Sequence, residues 1–275
     1  MSAIPSISVV MSVYNGENFI RESVESILNQ SFDDYEFIII DDGSTDQSVK
    51  LLEEYANLHP SIRLIKRKHS GLTKSLIFGC NLAKGKYIAR QDVDDYSDPD
   101  RLQLQFDRLE NDDNLVLIGS WYEVLDEKNI SVVKKPIDND KIIKRFMFYN
   151  NPFCHSSVMF RKESYHKTFG YDITYETSQD LDLWFKLAII GKVAMVEQIL
   201  VKRTIHKDNI SKSKNAWIQV KNSFRIRKKY LHAFDRRSSI HIIYIASLYQ
   251  FLMAFLPTVL SKKVSTLVRF IKINT

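Results

Sequence analysis

Cysteine is nearly absent. Cys80 and Cys154 are the only two in 275 residues, far apart and without metal-type spacing, which excludes a disulfide framework and fits a reducing compartment. Internal repeats and low-complexity tracts are missing. The opening MSAIPSISVV carries no basic segment ahead of its apolar residues. It reads as the start of a strand rather than a secretory leader, so the body is expected in the cytoplasm. No G-x-G-x-x-G run occurs, which removes the dinucleotide-binding fingerprint. What is there is 44% hydrophobic and 26% charged, the profile of an ordered globular chain of one or two domains with a core large enough to need no staples.

Acidic residues are scarce at one end. Residues 221–275 hold 11 of the 39 Lys and Arg but a single acid, Asp235, a local +10 within a net +6. A mildly acidic body with a basic tail implies contact with an anionic surface. Nucleic acid would also attract such a tail, but its long apolar runs point to membrane.

The first hundred residues alternate. Ile7–Val13 and Glu36–Ile40 are continuous apolar, β-branched runs, which predict buried strands. Arg63–Lys66 and Lys86–Arg90 read as further strands. Helical spacing falls between them over Glu17–Asn29, Ser48–Asn57 and Thr73–Ala83, the last closed by Gly85 just past its end. Such alternation predicts a mainly parallel central sheet flanked by helices, an α/β fold. From about Leu102 the rhythm is lost. Arg101–Leu109 and Leu181–Ile190 read as helices and Val116–Leu125 as a strand. Residues 1–215 are therefore expected to form one domain, with a nucleotide-binding half (1–100) and an acceptor half (101–215). Residues 216–275 form a basic, hydrophobic helical tail.

In an open parallel sheet, ligands sit at the carboxyl ends of the strands. Three polar clusters fall there: Tyr14–Glu17 after the first strand, Asp41–Asp46 after the second, and Gln91–Asp95 after the fourth. Asp92 and Asp94 lie two apart, so at a strand end they project to one side. Converging carboxylates repel unless a cation sits between them, and hard oxygens suit Mg²⁺ or Mn²⁺ with bridging phosphates. The plainer alternative is a solvated acidic turn with Asp94, Asp95 and Asp98 as caps. In DDGSTD, Gly43 supplies a positive φ and Ser44 or Asp46 caps the next helix. Neither explains the doubled Asp41–Asp42, one of which can accept from a base N–H.

The succession SVYNGE, DDGSTD, GLTKSLIFGCNLAKGKYIARQDVDD, NPFCHSSVMFRK and SQDLDLW resembles the family 2 glycosyltransferases of the GT-A fold, over roughly residues 5–210. The resemblance implies that Ser12, Tyr14, Asn15, Glu17 and Asp42 surround the nucleotide, and that Asp92, Val93 and Asp94 meet ribose, diphosphate and metal. Asp94 is then the foremost ligand and Asp95 its close competitor. It implies a Mn²⁺ or Mg²⁺ cofactor held by Asp94, Asp92 and His206, with His206 either completing the metal shell or touching the diphosphate unless it is structural. Lys74 is a phosphate or base contact. His155 either shapes the acceptor cleft or is a satisfied interior histidine. The family's acceptor-side Glu-Asp reads Gln179-Asp180 here. Asp180 is the expected catalytic base, and the alternative is that Asp180 and Asp182 cap the helix that follows.

The function so implied is inverting sugar transfer from a nucleotide-diphosphate donor, a UDP-sugar by its commonness among such relatives. The acceptor would be a hydroxyl of a glycan or lipid-linked oligosaccharide in cell-surface polysaccharide assembly. The rivals are a nucleotidyltransferase making the donor, which would want a Gly-rich basic phosphate loop that is not there, and a silent nucleotide-binding scaffold. In the tail, Ala216–Tyr230 predicts a basic helix. Ser239–Leu260 is long enough to cross a bilayer, but basic residues flank both ends and Pro257 breaks its last turn. Val264, Leu267, Val268 and Ile271 then recur at helical spacing among Lys263, Arg269 and Lys272, the pattern of interfacial attachment. A peripheral or monotopic place on the cytoplasmic face of the membrane is expected, with no nucleic acid as partner; a true span, and helices packed on the enzyme's own surface or on a dimer partner, are the alternatives.

Overall fold

Strands β1 (Ile7–Val13), β2 (Tyr35–Asp41), β3 (Ile62–Lys66) and β4 (Tyr87–Asp92) form a parallel block in the order β3-β2-β1-β4. The computed structural model describes residues 4–125, 131–204, 216–234, 240–241, 243–245 and 247–248. Helices α1 (Ile20–Leu28), α2 (Ser48–Leu58) and α3 (Leu72–Leu82) make the crossovers. The middles of β1 and β2 are apolar because both faces are covered: Val9, Val10, Met11 and Phe37 to Ile40 have no exposed surface.

Beyond this block the sheet becomes mixed. The chain continues through β5 (Asp95–Ser97), α4 (Arg101–Glu110), β6 (Leu115–Leu125), β7 (Ser131–Lys134), α5 (Asp140–Phe146), a 3₁₀ turn at His155–Ser157, β8 (Met159–Arg161), α6 (Lys162–Lys167), α7 (Gln179–Ile190) and β9 (Lys192–Thr204). The sheet runs on from β4 through β8, β6 and β9 to β5, with β7 paired to β6. Strand β8 is antiparallel to β4 and β6, whereas β9 runs parallel to β6 with register shifts around Trp121. The expected strands and helices are present with ends moved by a few residues. Helix α1 starts at Ile20 rather than Glu17, because the Gly16 carbonyl closes a turn on Phe19 N and Ile20 N while the Glu17 carboxylate reaches Gln47 N at 2.8 Å.

The chain divides into two units, one of Met1–Met147 with Asn151–His206, the other of Phe148–Asn150 with Lys207–Thr275. Within the second, α8 (Ala216–Tyr230) buries Val220, Ile226 and Tyr230 and places Arg227, Lys228 and Lys229 in its last turn. Trp217, Ile218, Tyr244, Ile245 and Leu248 are exposed. No helix among the described residues is long and apolar enough to cross a membrane. His206, most of Ser239–Leu260 and the stretch after Pro257 lie outside the described residues.

Gly85 has a different role from the expected helix closure. Helix α3 ends on Ala83 with ordinary dihedrals. Gly85 instead lies against β1, where an added Cβ would come within 2.6 Å of Ser8 N and 2.7 Å of Ile7 C. Its N–H donates to Ser8 Oγ at 2.9 Å. The obstructing atoms are backbone of the central strand and cannot swing aside. Gly85→Ala is expected to lower unfolding stability by about 1–3 kcal/mol, measured by urea denaturation. Wild-type stability would show that the two segments separate freely.

Candidate active site

The carboxyl ends of β1, β2 and β4 converge as the topology requires, with Ser12 opposite both Ile40 and Asp92 in register. The loops after β1 and β2 are laced together. Asn15, at φ 51°, donates its N–H to Ser44 Oγ at 3.0 Å and accepts from Thr45 N at 2.8 Å. Asp46 accepts from Glu17 N at 3.2 Å and from Ser48 N at 2.9 Å. Asn15 and Glu17 thus shape the rim through their own chain, and Ser44 serves the β1 loop rather than capping α2. Val93 packs over Gly16, where a Cβ would approach Val93 Cγ2 to 2.9 Å.

Asp42 is 1% exposed. Its carboxylate accepts from Ser70 N and Ser70 Oγ (3.1 and 2.9 Å), Gly71 N (2.8 Å) and Ser75 Oγ (2.6 Å). Burial raises its pKa, and the donations from Ser75, Gly71 and Ser70 outweigh burial and hold it below the ordinary range. Asp42 therefore anchors the start of α3 and the loop carrying His69, whose Nδ1 lies 3.0 Å from Asp42 Oδ2. The His69 ring sits 4.1 Å from that of Tyr14, centroid to centroid. Tyr14 is 49% exposed. The pair presents an aromatic wall beside the loop that Asp42 holds. Lys74 is exposed in the first turn of α3.

Asp92 ends β4 and is steered by Arg90, which has no exposed surface. The Arg90 guanidinium donates to Val10 O, to Gln91 O at 3.0 Å, to His155 Nε2 at 3.1 Å and to Asp92 Oδ1 at 2.5 Å. Ser156 Oγ donates toward Asp92 Oδ2 at 3.1 Å and also meets Asp95 Oδ2. Burial raises the Asp92 carboxyl, but the Arg90 charge, with the Ser156 hydroxyl, brings it below the ordinary range. It is a carboxylate, 27% exposed at the side chain. Besides any approach to Asp94, Asp92 is thus paired with a buried arginine. Asp95 sits inside, 4% exposed. Burial, with the charges of Asp94 and Asp92, holds it well above the ordinary range. Asp94 is half-buried in the turn between them.

His155 is the interior histidine of the two alternatives. Burial and the Arg90 charge pull its pKa down to about 3, so it is neutral. Its Nε2 accepts from Arg90 and faces Tyr171 OH at 2.8 Å, which leaves the ring proton on Nδ1, 3.8 Å from Asp92 Oδ2.

Asp180 lies in the first turn of α7, after Ser178 at φ 64°. It is half-buried. Its Oδ2 accepts from Asn151 Nδ2 at 2.6 Å. Burial raises its pKa, the charge of Asp92 adds to the rise, and the result stays above the ordinary range despite hydrogen bonds from Leu181 N and Asn151. Asp182 differs. It is wholly buried and paired with Lys186 Nζ at 2.9 Å, a structural group inside the helix contact.

A divalent cation suits this donor set. Asp92 is ionised and partly open, Asp94 is beside it, and all the oxygens are hard. Among the described residues no three His, Cys, Asp or Glu side chains gather to hold a metal ion. Phosphate oxygens and water would therefore complete the shell, as they do for ions bound through one or two carboxylates.

Arg90, Ser156, Asn151, His69 and Tyr171 escaped the sequence reading. Arg90 carried a usable signal, since a charge inside an otherwise apolar strand must find a partner. The others come together only by folding.

The family model described as glycosyl transferase family 2 matches residues 8–169. An uncharacterized glycosyltransferase of Haemophilus influenzae is 32% identical over 224 residues, 77% of this chain and 69% of that one. The chondroitin synthase of Escherichia coli is 29% identical over 226 residues, 82% of this chain but 32% of that enzyme. The chain thus spans about a third of the synthase. Among solved structures, S. aureus TarS 1-349 with UDP-GlcNAc superposes with a TM-score of 0.73 at 16% identity, covering 90% of this chain and 72% of that one. The mannosyltransferase PcManGT of Pyrobaculum calidifontis, with GDP-Man and Mn²⁺, gives 0.67 at 16% identity over 98% and 81%. The chain belongs to glycosyl transferase family 2 and has the GT-A fold.

Because the folded pKa of Asp42 is depressed, its stabilisation is present above the unfolded value of 3.8 and is lost as pH falls through the lower folded value. Asp42→Asn is expected to cost about 1–3 kcal/mol at pH 7 and to flatten the acid dependence of stability below pH 4. Thermal unfolding across pH measures both. An unchanged acid limb would show that the loop is held by other groups.

Proposed function

We propose that this glycosyltransferase moves a sugar, with inversion, from a nucleotide-diphosphate donor to a hydroxyl of a glycan or lipid-linked oligosaccharide in cell-surface polysaccharide assembly. The observation that carries this is a pair of carboxylates in one neighbourhood with opposite protonation tendencies. Asp92 is held ionised by Arg90, while burial raises Asp180. Paired carboxylates with divergent environments divide the roles of charge stabiliser and proton acceptor.

In this reading Tyr14 and His69 flank the base, and Asp42 keeps their loop in place. The donor is a UDP-sugar, a choice supported by the UDP-GlcNAc held by TarS. Asp92 and Asp94 would hold Mg²⁺ or Mn²⁺ against the diphosphate. Such an ion supplies positive charge for the departing group, and the Mn²⁺ in PcManGT supports its presence here. Asp180 takes the acceptor proton as that oxygen bonds to the anomeric carbon and the bond to the diphosphate breaks on the opposite side. A polysaccharide acceptor agrees with the likeness to chondroitin synthase. A basic tail with exposed Trp217, Tyr244, Ile245 and Leu248 supports peripheral or monotopic attachment to the cytoplasmic face of the membrane.

A base must be deprotonated to work, so transfer falls as pH drops through the raised Asp180 value. With the donor identified from a nucleotide-sugar panel by product mass, Asp180→Asn should bind that donor normally and lose about 10²- to 10⁴-fold in transfer. Near wild-type transfer would refute the assignment. Removal of residues 216–275 should shift the protein from the membrane to the soluble fraction. A truncated protein that still sediments with membranes would defeat the attachment.

A further inference from the structure

We propose that Asn151 is the positioning residue of the Asp180 carboxylate, an inference that rests on the reading of Asp180 as the base. An asparagine amide is nearly symmetric in shape, and what gives it direction is its partners. Here Asn151 Oδ1 accepts from Phe153 N at 3.1 Å, closing a turn over Pro152. Proline fixes its own φ and brings no N–H to compete. With the oxygen so committed, the NH₂ group points away from the turn, and Nδ2 meets Asp180 Oδ2 at 2.6 Å. One end of the side chain is locked to local backbone and the other holds the carboxylate in a single orientation.

The choice of an amide matters chemically. Asp92 is held by a guanidinium, which lowers its basicity along with its freedom. A cation in the same place beside Asp180 would make a weak proton acceptor. A neutral N–H donor orients the carboxylate and leaves most of its basicity. The other groups that act on Asp180 are Asp92 at the end of β4, Tyr171 in the loop before α7 and the Leu181 N–H of the helix start. None of the three is a cation. Gln179, where the family has glutamate, adds no charge beside it.

The test needs no substrate at first. In the full chain labelled with ¹³C at the aspartate carboxyls, the Asp180 resonance is identified by its loss in Asp180→Asn. Asn151→Asp keeps the acceptor for Phe153 N–H but replaces the donor with a second carboxylate, and should raise the Asp180 midpoint by roughly one unit or more. Asn151→Ala should raise it by less. In transfer assays with the donor from the panel, Asn151→Ala should lower kcat, move the acidic limb the same way and leave donor KM unchanged. A midpoint and limb unmoved in Asn151→Ala overturn the proposal, and so do they in Asn151→Asp where that variant folds. Should Asp180→Asn transfer normally, the base assignment itself falls. A dead Asp180→Asn with unmoved Asn151 variants sinks this inference alone.

Discussion

The Asp92 end of the candidate site hangs on one buried cation. Arg90 rises from β4 with no exposed surface, and its donors reach the β1 backbone, the His155 ring and the Asp92 carboxylate. Removing one partner of such a pair leaves an uncompensated buried charge, a loss of about 3–5 kcal/mol. The guanidinium therefore couples strand alignment to carboxylate placement: Asp92 cannot turn away without stranding Arg90. A second arginine, Arg101, lies just behind. Burial, then Arg90, lowers it to about 9, so it keeps its charge at neutral pH. It donates to Gln91 Oε1 at 3.2 Å and to the Ser156 carbonyl. Arg90, Arg101 and Arg203 all act on the neighbourhood of Asp92 and Asp95.

From this centre a hydrogen-bonded chain runs toward the start of α7. Arg90 donates to His155, the same ring nitrogen faces the Tyr171 hydroxyl, and Tyr171 lies within the electrostatic reach of Asp180. Neutrality of His155 is what permits it. A protonated imidazole would face a guanidinium nitrogen at 3.1 Å, and burial removes that option. Asp92 and Asp180 are thus linked through groups that need not titrate near pH 7, a stiff connection rather than a switch.

Much of the first half was legible because its signals are local. A strand buried on both faces must be apolar along its length, and β1 matches the run Ile7–Val13 residue for residue. The clusters after β1, β2 and β4 follow from parallel pairing alone. Asn15, Glu17 and Asp42 were expected as site residues. Their side chains hydrogen-bond to backbone and hydroxyl groups of adjacent loops, a role that spacing cannot distinguish from ligand contact. Gly85 was misread for the same reason. A glycine after a helix and a glycine against a neighbouring strand look alike until the strand is in place.

By itself the sequence determined the alternation of strand and helix, the edge at which polar residues gather, and the family to which the chain belongs. Each of these depends on period, order or residue type along the chain. Only the tertiary structure decided in which direction each carboxyl is shifted. Asp92, Asp95 and Asp180 are chemically the same side chain, and Arg90, Ser156 and Asn151 come from separate segments to sort them. Protonation is set by burial and by neighbours within a few ångströms, and those neighbours exist only once β4, the His155 turn and α7 have met.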